Sequence, residues 1–143
     1  MKSIRGAIAV VENNEESIIS SSKKLINEIL IKNAITENDI EFAIFTVTSD
    51  ISEAFPAKAF RELEMTSVAA IDTLAPNIDG DLSGCIRLLI YLNKDLIEVN
   101  HVYLDDAKNW DQTDKNLFAK KNTLLTYLLM KLNNTYFYFR EHI

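Results

Sequence analysis

Strand-like and helix-like runs alternate through the first half of this chain and then stop alternating, and that order limits the folds open to it. Ile4 to Val11 is β-branched and small, a strand pattern in which Gly6 permits close backbone approach. Asn13 and Asn14 stand before Glu15 and Glu16, a helix start with acids in its first turn. Ile18, Ile19, Leu25, Ile26, Ile29 and Leu30 continue with helical periodicity to about Asn33. Glu41 to Thr48 reads as a second strand, Phe55 to Leu63 as a short helix with Pro56 near its start, and Ser67 to Ile71 as a short strand. Asp72 to Ser83, with Pro76, Asn77 and Gly80, reads as a loop. Gly84 to Leu92 and Glu98 to Leu104 are further strands, joined by a turn at Asn93-Lys94-Asp95.

The expected fold is therefore α/β (α+β): a single-layer mixed sheet with helices on one face, unlike a long doubly wound sheet. A sheet covered on one side leaves the other to be buried, which predicts an oligomer. Residues 1–112 form the domain. Residues 113–143 are expected to be a helical extension packed on it, from the apolar run Leu117 to Leu132 and an aromatic tail, Tyr136 to Phe139.

A chain of 143 residues suits one domain with a substantial core. Its formal net charge of −6, with no run of five or six basic residues, argues against a nucleic-acid partner. Cys85 is the sole cysteine, which excludes an internal disulfide, and its apolar flanks suggest a buried structural thiol. No apolar signal core opens the sequence and no stretch has the length of a membrane span, so a cytoplasmic protein without membrane contact is expected.

Phosphate-binding glycine loops are absent, and His101 and His142 lie too far apart in sequence to form a metal-binding spacing. What remains is arginine. Arg5, Arg61 and Arg87 each interrupt an apolar or helical run, which costs free energy unless the charge is paired or meets a ligand. Arg87, between Ile86 and Leu88, is the sharpest case. An outward-facing position or a salt bridge to an aspartate explains it as well as a ligand does. Lys58 and Arg61, three apart, share one face of a helix that is otherwise an ordinary solvated surface helix. Together with Tyr103, the arginines suit a dianionic ligand, because a guanidinium fork matches a carboxylate.

Four fragments in fixed order resemble one family: Ile4-Arg5-Gly6-Ala7, then Phe55-Pro56-Ala57-Lys58-Ala59-Phe60-Arg61, then Cys85-Ile86-Arg87, then His101-Val102-Tyr103-Leu104. The family is the trimeric α/β class of chorismate mutases, as distinct from the all-helical class. The resemblance implies a homotrimer around a barrel-like core, with active sites in the clefts between subunits. It implies the cofactor-free rearrangement of chorismate to prephenate in aromatic amino acid biosynthesis, with no metal. In that pattern Arg87 donates to the ether oxygen, and Arg5 and Tyr103 hold a substrate carboxylate. Phe55, Ala57, Lys58 and Arg61 would come from the neighbouring subunit, Phe55 as a wall and the two cations at the cleft mouth.

The chain departs from the family twice. The family's glutamate, twelve residues before the strand arginine, is replaced by Ala75. Asp72, three residues earlier, falls where the resemblance implies a small or thiol side chain that also faces that substrate hydroxyl, and either takes over the glutamate's catalytic work or caps the loop. Where the family carries a closing arginine after the last strand, this chain reads Trp110-Asp111-Gln112, with Lys108 nearby. Two other functions are open, the first from these changes and the second from the C-terminal helix and the tail Tyr136 to Phe139. One is a homologue acting on a chorismate-like carboxylate in specialised metabolism. The other is a non-catalytic ligand-binding or interaction trimer that docks partners through residues 113–143.

Overall fold

The computed structural model describes residues 1–109. The elements run β1 (Ser3–Ala9), α1 (Glu15–Asn33), a short 3-10 turn (Glu37–Asp39), β2 (Ile40–Val47), α2 (Lys58–Glu62), β3 (Ala69–Leu74), β4 (Ile86–Leu92) and β5 (Val102–Asp105). The five strands form one sheet in the order β3-β2-β4-β1-β5. β4 runs antiparallel to both neighbours, while β3 lies parallel to β2 and β5 parallel to β1. The expected mixed single-layer sheet is therefore present, with its one reversed strand at the centre.

α1 forms where the sequence signals place it. The Asn14 side chain accepts the Ser17 N–H at 2.8 Å, satisfying an amide that the helix start would otherwise orphan. The helix ends as Ala34 turns left-handed (φ 49°) and Ile35 N–H reaches back to the Leu30 carbonyl. Ile18, Leu25, Ile26 and Ile29 are wholly buried against the sheet. Each such side chain removed from water stabilises the fold by about 1.5–3 kcal/mol. Gly6 admits this packing: a Cβ there would lie 2.6 Å from Ile29 Cδ1.

Strand parity separates the two faces of the sheet. Ile4, Ile8, Phe45, Ile86, Leu88, Ile90 and Val102 are buried on the helix side. α2 joins that core through Phe60, which meets Phe45 edge-on with ring centroids 5.9 Å apart. The other face carries Phe42 stacked on Tyr91 (5.1 Å), with Leu89 and Ile71 also exposed.

Three sequence expectations need correction. β3 is not Ser67 to Ile71 but Ala69–Leu74, so Asp72 belongs to a strand rather than a loop. It pairs with Phe45 because β3 adds in parallel to the free edge of β2, and the strand ends just before Pro76. β5 starts at Val102 rather than Glu98. Side chains supply the missing hydrogen bonds: Asn100 N–H donates to Asn33 Oδ1 (2.8 Å), and His101 Nδ1 accepts the Arg5 N–H (3.0 Å). The Phe55–Leu63 helix is shorter than expected. Phe55 and Pro56 form a turn whose carbonyls accept the Lys58 and Ala59 N–H groups, and helical geometry holds only over Lys58–Glu62. The segment Leu117 to Leu132, the tail Tyr136 to Phe139, His142 and Trp110-Asp111-Gln112 lie outside the described residues.

Candidate active site

The register aligns one row of residues across all five strands: Thr73, Thr46, Arg87, Ala7 and Tyr103. Adjacent strands present aligned residues on the same face, so Arg87 and Tyr103 flank the small side chain of Ala7 on the face away from the helices. Arg5, two residues before Ala7, projects from that same face one row along. Three of the sequence-predicted residues, Arg5, Arg87 and Tyr103, thus share one surface.

Arg87 is not an exposed lone cation. Its Nη2 donates to Asp81 Oδ2 at 2.9 Å, and each side chain of the pair is about one-third exposed. Asp81 belongs to the loop between β3 and β4 and is a residue that the sequence reading did not single out. Its signal was present: an acid beside Gly80, a few residues before an arginine that needed a partner. The aspartate bridge foreseen as one explanation of Arg87 is real, on a surface that also carries Arg5 and Tyr103.

The remaining predicted residues lie elsewhere. Phe55, Ala57, Lys58, Arg61 and Asp72 line a groove of about 560 Å³ between α2 and β3. Asp72 aligns with Phe45 and Leu88, which point into the core, so it emerges on the helix side of the sheet. A single copy of the chain therefore does not bring Asp72 to Arg87. Asp72 Oδ1 accepts the Ala57 N–H at 3.0 Å, capping the turn that leads into α2. Burial raises its pKa above the ordinary aspartate value, more than the Ala57 N–H lowers it. Ala75 follows the strand, its N–H donating to the Val47 carbonyl at 2.8 Å.

Lys58 is engaged within the chain. Its ammonium bonds to Glu15 at the start of α1 and lies 3.8 Å from Glu62. The Glu15 hydrogen bond and charge raise the Lys58 pKa, and the same pair lowers that of Glu15. Phe55 is 73% exposed, an aromatic ring turned to solvent beside the groove. Cys85 is a buried thiol whose Sγ donates to the Leu82 carbonyl at 3.0 Å, and burial pushes its pKa up. That environment suits a structural thiol rather than a nucleophile. Among the described residues, no group of three His, Cys, Asp or Glu side chains is placed to hold a metal ion. No helix among them is long and apolar enough to cross a membrane.

Known proteins match this chain over the same region. The family model for chorismate mutase type I matches residues 1–113. The chorismate mutase AroH of Thermus thermophilus is 36% identical over 110 residues, covering 75% of this chain and 90% of that protein. AroH of Bacillus subtilis (strain 168) is 31% identical over 108 residues, or 73% and 85% of the two chains. A solved chorismate mutase from Clostridium thermocellum superimposes with a TM-score of 0.72 at 39% identity, over 76% of this chain and 98% of that one. The chain belongs to the chorismate mutase type I family.

Proposed function

We propose that this protein is a chorismate mutase, an isomerase that converts chorismate to prephenate in clefts between the subunits of a homotrimer. The observation that carries the reading is the row formed by Arg87, Ala7 and Tyr103, with Arg5 beside it, on the sheet face opposite α1 and α2. That surface offers two guanidinium groups and a phenol to a dicarboxylate. The reaction is a one-substrate pericyclic step. It requires a folded substrate conformer and stabilisation of the charge that develops on the breaking ether. Arg87 supplies that stabilisation by donating to the ether oxygen, while Arg5 and Tyr103 hold a carboxylate.

The α2 groove completes the cleft from a second copy. Phe55 forms a wall, the Ala57 turn shapes it, and Lys58 and Arg61 present positive charge at its mouth. Asp72 lies in the same groove. Its carboxyl replaces the family's glutamate, whose place is taken by Ala75, by accepting a hydrogen bond from the substrate hydroxyl. The support for an assembly is that Arg87 and Asp72 emerge on opposite sides of one sheet, and that Phe42, Leu89, Tyr91 and Ile71 remain exposed.

The decisive experiment follows chorismate loss and prephenate formation with purified protein. Turnover is expected, and Arg87→Ala should lower kcat by about 10²–10³-fold, as for other preorganised donors to a developing negative charge. The variant should elute in the same oligomeric state as the wild type. Absence of turnover above background at high protein concentration refutes the proposal. Ala75 favours a second reading, action on a related cyclohexadienyl carboxylate lacking that hydroxyl. Faster turnover of such a compound than of chorismate would establish it.

A further inference from the structure

We infer that Asp81 is a built-in counter-ion for Arg87, which an anionic ligand must share or displace, and that it thereby sets the affinity of this surface for anions. The inference rests on the reading of Arg87 as a ligand-binding group.

Asp81 is held for this task at both carboxylate oxygens. Oδ2 lies 2.9 Å from Arg87 Nη2, and Oδ1 accepts the Leu82 N–H at 2.8 Å. The loop that carries it is anchored by three hydrogen bonds on two neighbouring segments. Gly84 N–H donates to Asp50 Oδ2 (2.7 Å), Cys85 N–H to Thr48 Oγ1 (2.9 Å), and Val10 N–H to the Ser83 carbonyl (3.1 Å). The carboxylate is thus delivered to the guanidinium by a braced loop. Both side chains are also about one-third exposed, so water screens the pair and an incoming anion can reach it.

Exposed pairs of this kind are weak, and partner exchange is accessible to a ligand carrying its own carboxylate. Lys58 repeats the arrangement with Glu15. Two of the cations assigned to the cleft, Arg87 and Lys58, therefore arrive with carboxylates already on them. A ligand gains only the difference between its contact and the internal one, which disfavours simple anions that offer a single charge and no further contact.

The test titrates prephenate into wild type, Asp81→Asn and Asp81→Ala by calorimetry, at low and high sodium chloride, alongside chorismate turnover. Asparagine keeps the shape and the acceptor for the Leu82 N–H but removes the charge. Prephenate should bind Asp81→Asn about threefold more tightly at low salt, with the gap closing at high salt, as for an exposed charge. Asp81→Ala should shift in the same direction. A purely structural Asp81 would leave the salt-dependent difference at zero. Equal or weaker binding by both variants, with chorismate turnover intact, overturns this inference and spares the proposed activity. Tighter binding by the variants without turnover does the reverse. Failure of all three proteins to bind prephenate overturns both.

Discussion

Burial holds the Asp72 carboxyl above its ordinary value of 3.8 while the Ala57 N–H pulls the other way, and burial is the larger effect. For an acid whose folded pKa is raised, the folded state disfavours the ionised form. Its stability contribution is complete below the unfolded pKa and is lost as pH rises through the folded one. Asp72→Asn keeps an acceptor for the Ala57 N–H and cannot ionise. The variant should therefore melt at a higher temperature than wild type at neutral pH, with the difference vanishing below about pH 3.9. Thermal unfolding across that range checks it. If Asp72 accepts the substrate hydroxyl, the same variant loses chorismate turnover as it gains stability. Equal melting temperatures at every pH would contradict the burial argument. At this scale the sequence identified Arg87 as a residue requiring an explanation, because arginine within an apolar strand is costly. It did not identify Asp81 as the answer, because a loop carboxylate can point anywhere until the loop closes.

Among the elements, the connection from β3 to β4 is the most constrained. Gly84 adopts φ +60°, and a Cβ there would lie 2.6 Å from the Val11 carbonyl oxygen and 2.7 Å from its nitrogen. Those neighbours are backbone, which cannot rotate aside. Gly84→Ala should cost about 2–4 kcal/mol, from the left-handed conformation and the overlap together. Urea unfolding measures that loss. Because Arg87, the second residue of β4, lies three residues on, anion binding should weaken in the folded fraction as well. Unchanged stability would mean that the Val10–Val11 crossing is softer than its hydrogen bonds to Ser83 and Gly84 imply. α1 was readable almost to the residue, since its cap, periodicity and end are all local signals. β3 was not, because an edge strand is defined by its partner. Asp72-Thr73-Leu74 carries turn-like residues and becomes strand only by pairing with Phe45-Thr46-Val47.

For the molecule as a whole, the two halves of the proposed site lie on opposite sides of one sheet, so the proposal requires at least two copies for activity. Mixing separately inactive proteins tests this directly. Arg87→Ala spoils the sheet-face half, and Arg61→Ala with Asp72→Ala spoils the groove half. Unfolding and refolding an equal mixture should place intact halves together at about a quarter of the interfaces, and activity should return to that fraction. Each variant refolded alone should stay inactive. No recovery in mixed oligomers would mean that each site is built within one subunit, contrary to the proposal.

What the sequence determined by itself is the order of strands and helices, the covering of one sheet face, and the presence of arginines in places where apolar residues belong. These follow from local rules: period-2 and period-3.6 patterns, caps, and the cost of charge in an apolar run. The ordered fragments added the family. Only the tertiary structure decided which residues meet. Alternation fixes sides within one strand, but nothing local relates the parity of β3 to that of β4 across the loop between them. That relation comes from the register of both strands on β2, with Asp72 beside Phe45 and Arg87 beside Thr46. It places the two predicted catalytic residues on opposite faces and delivers Asp81 to Arg87.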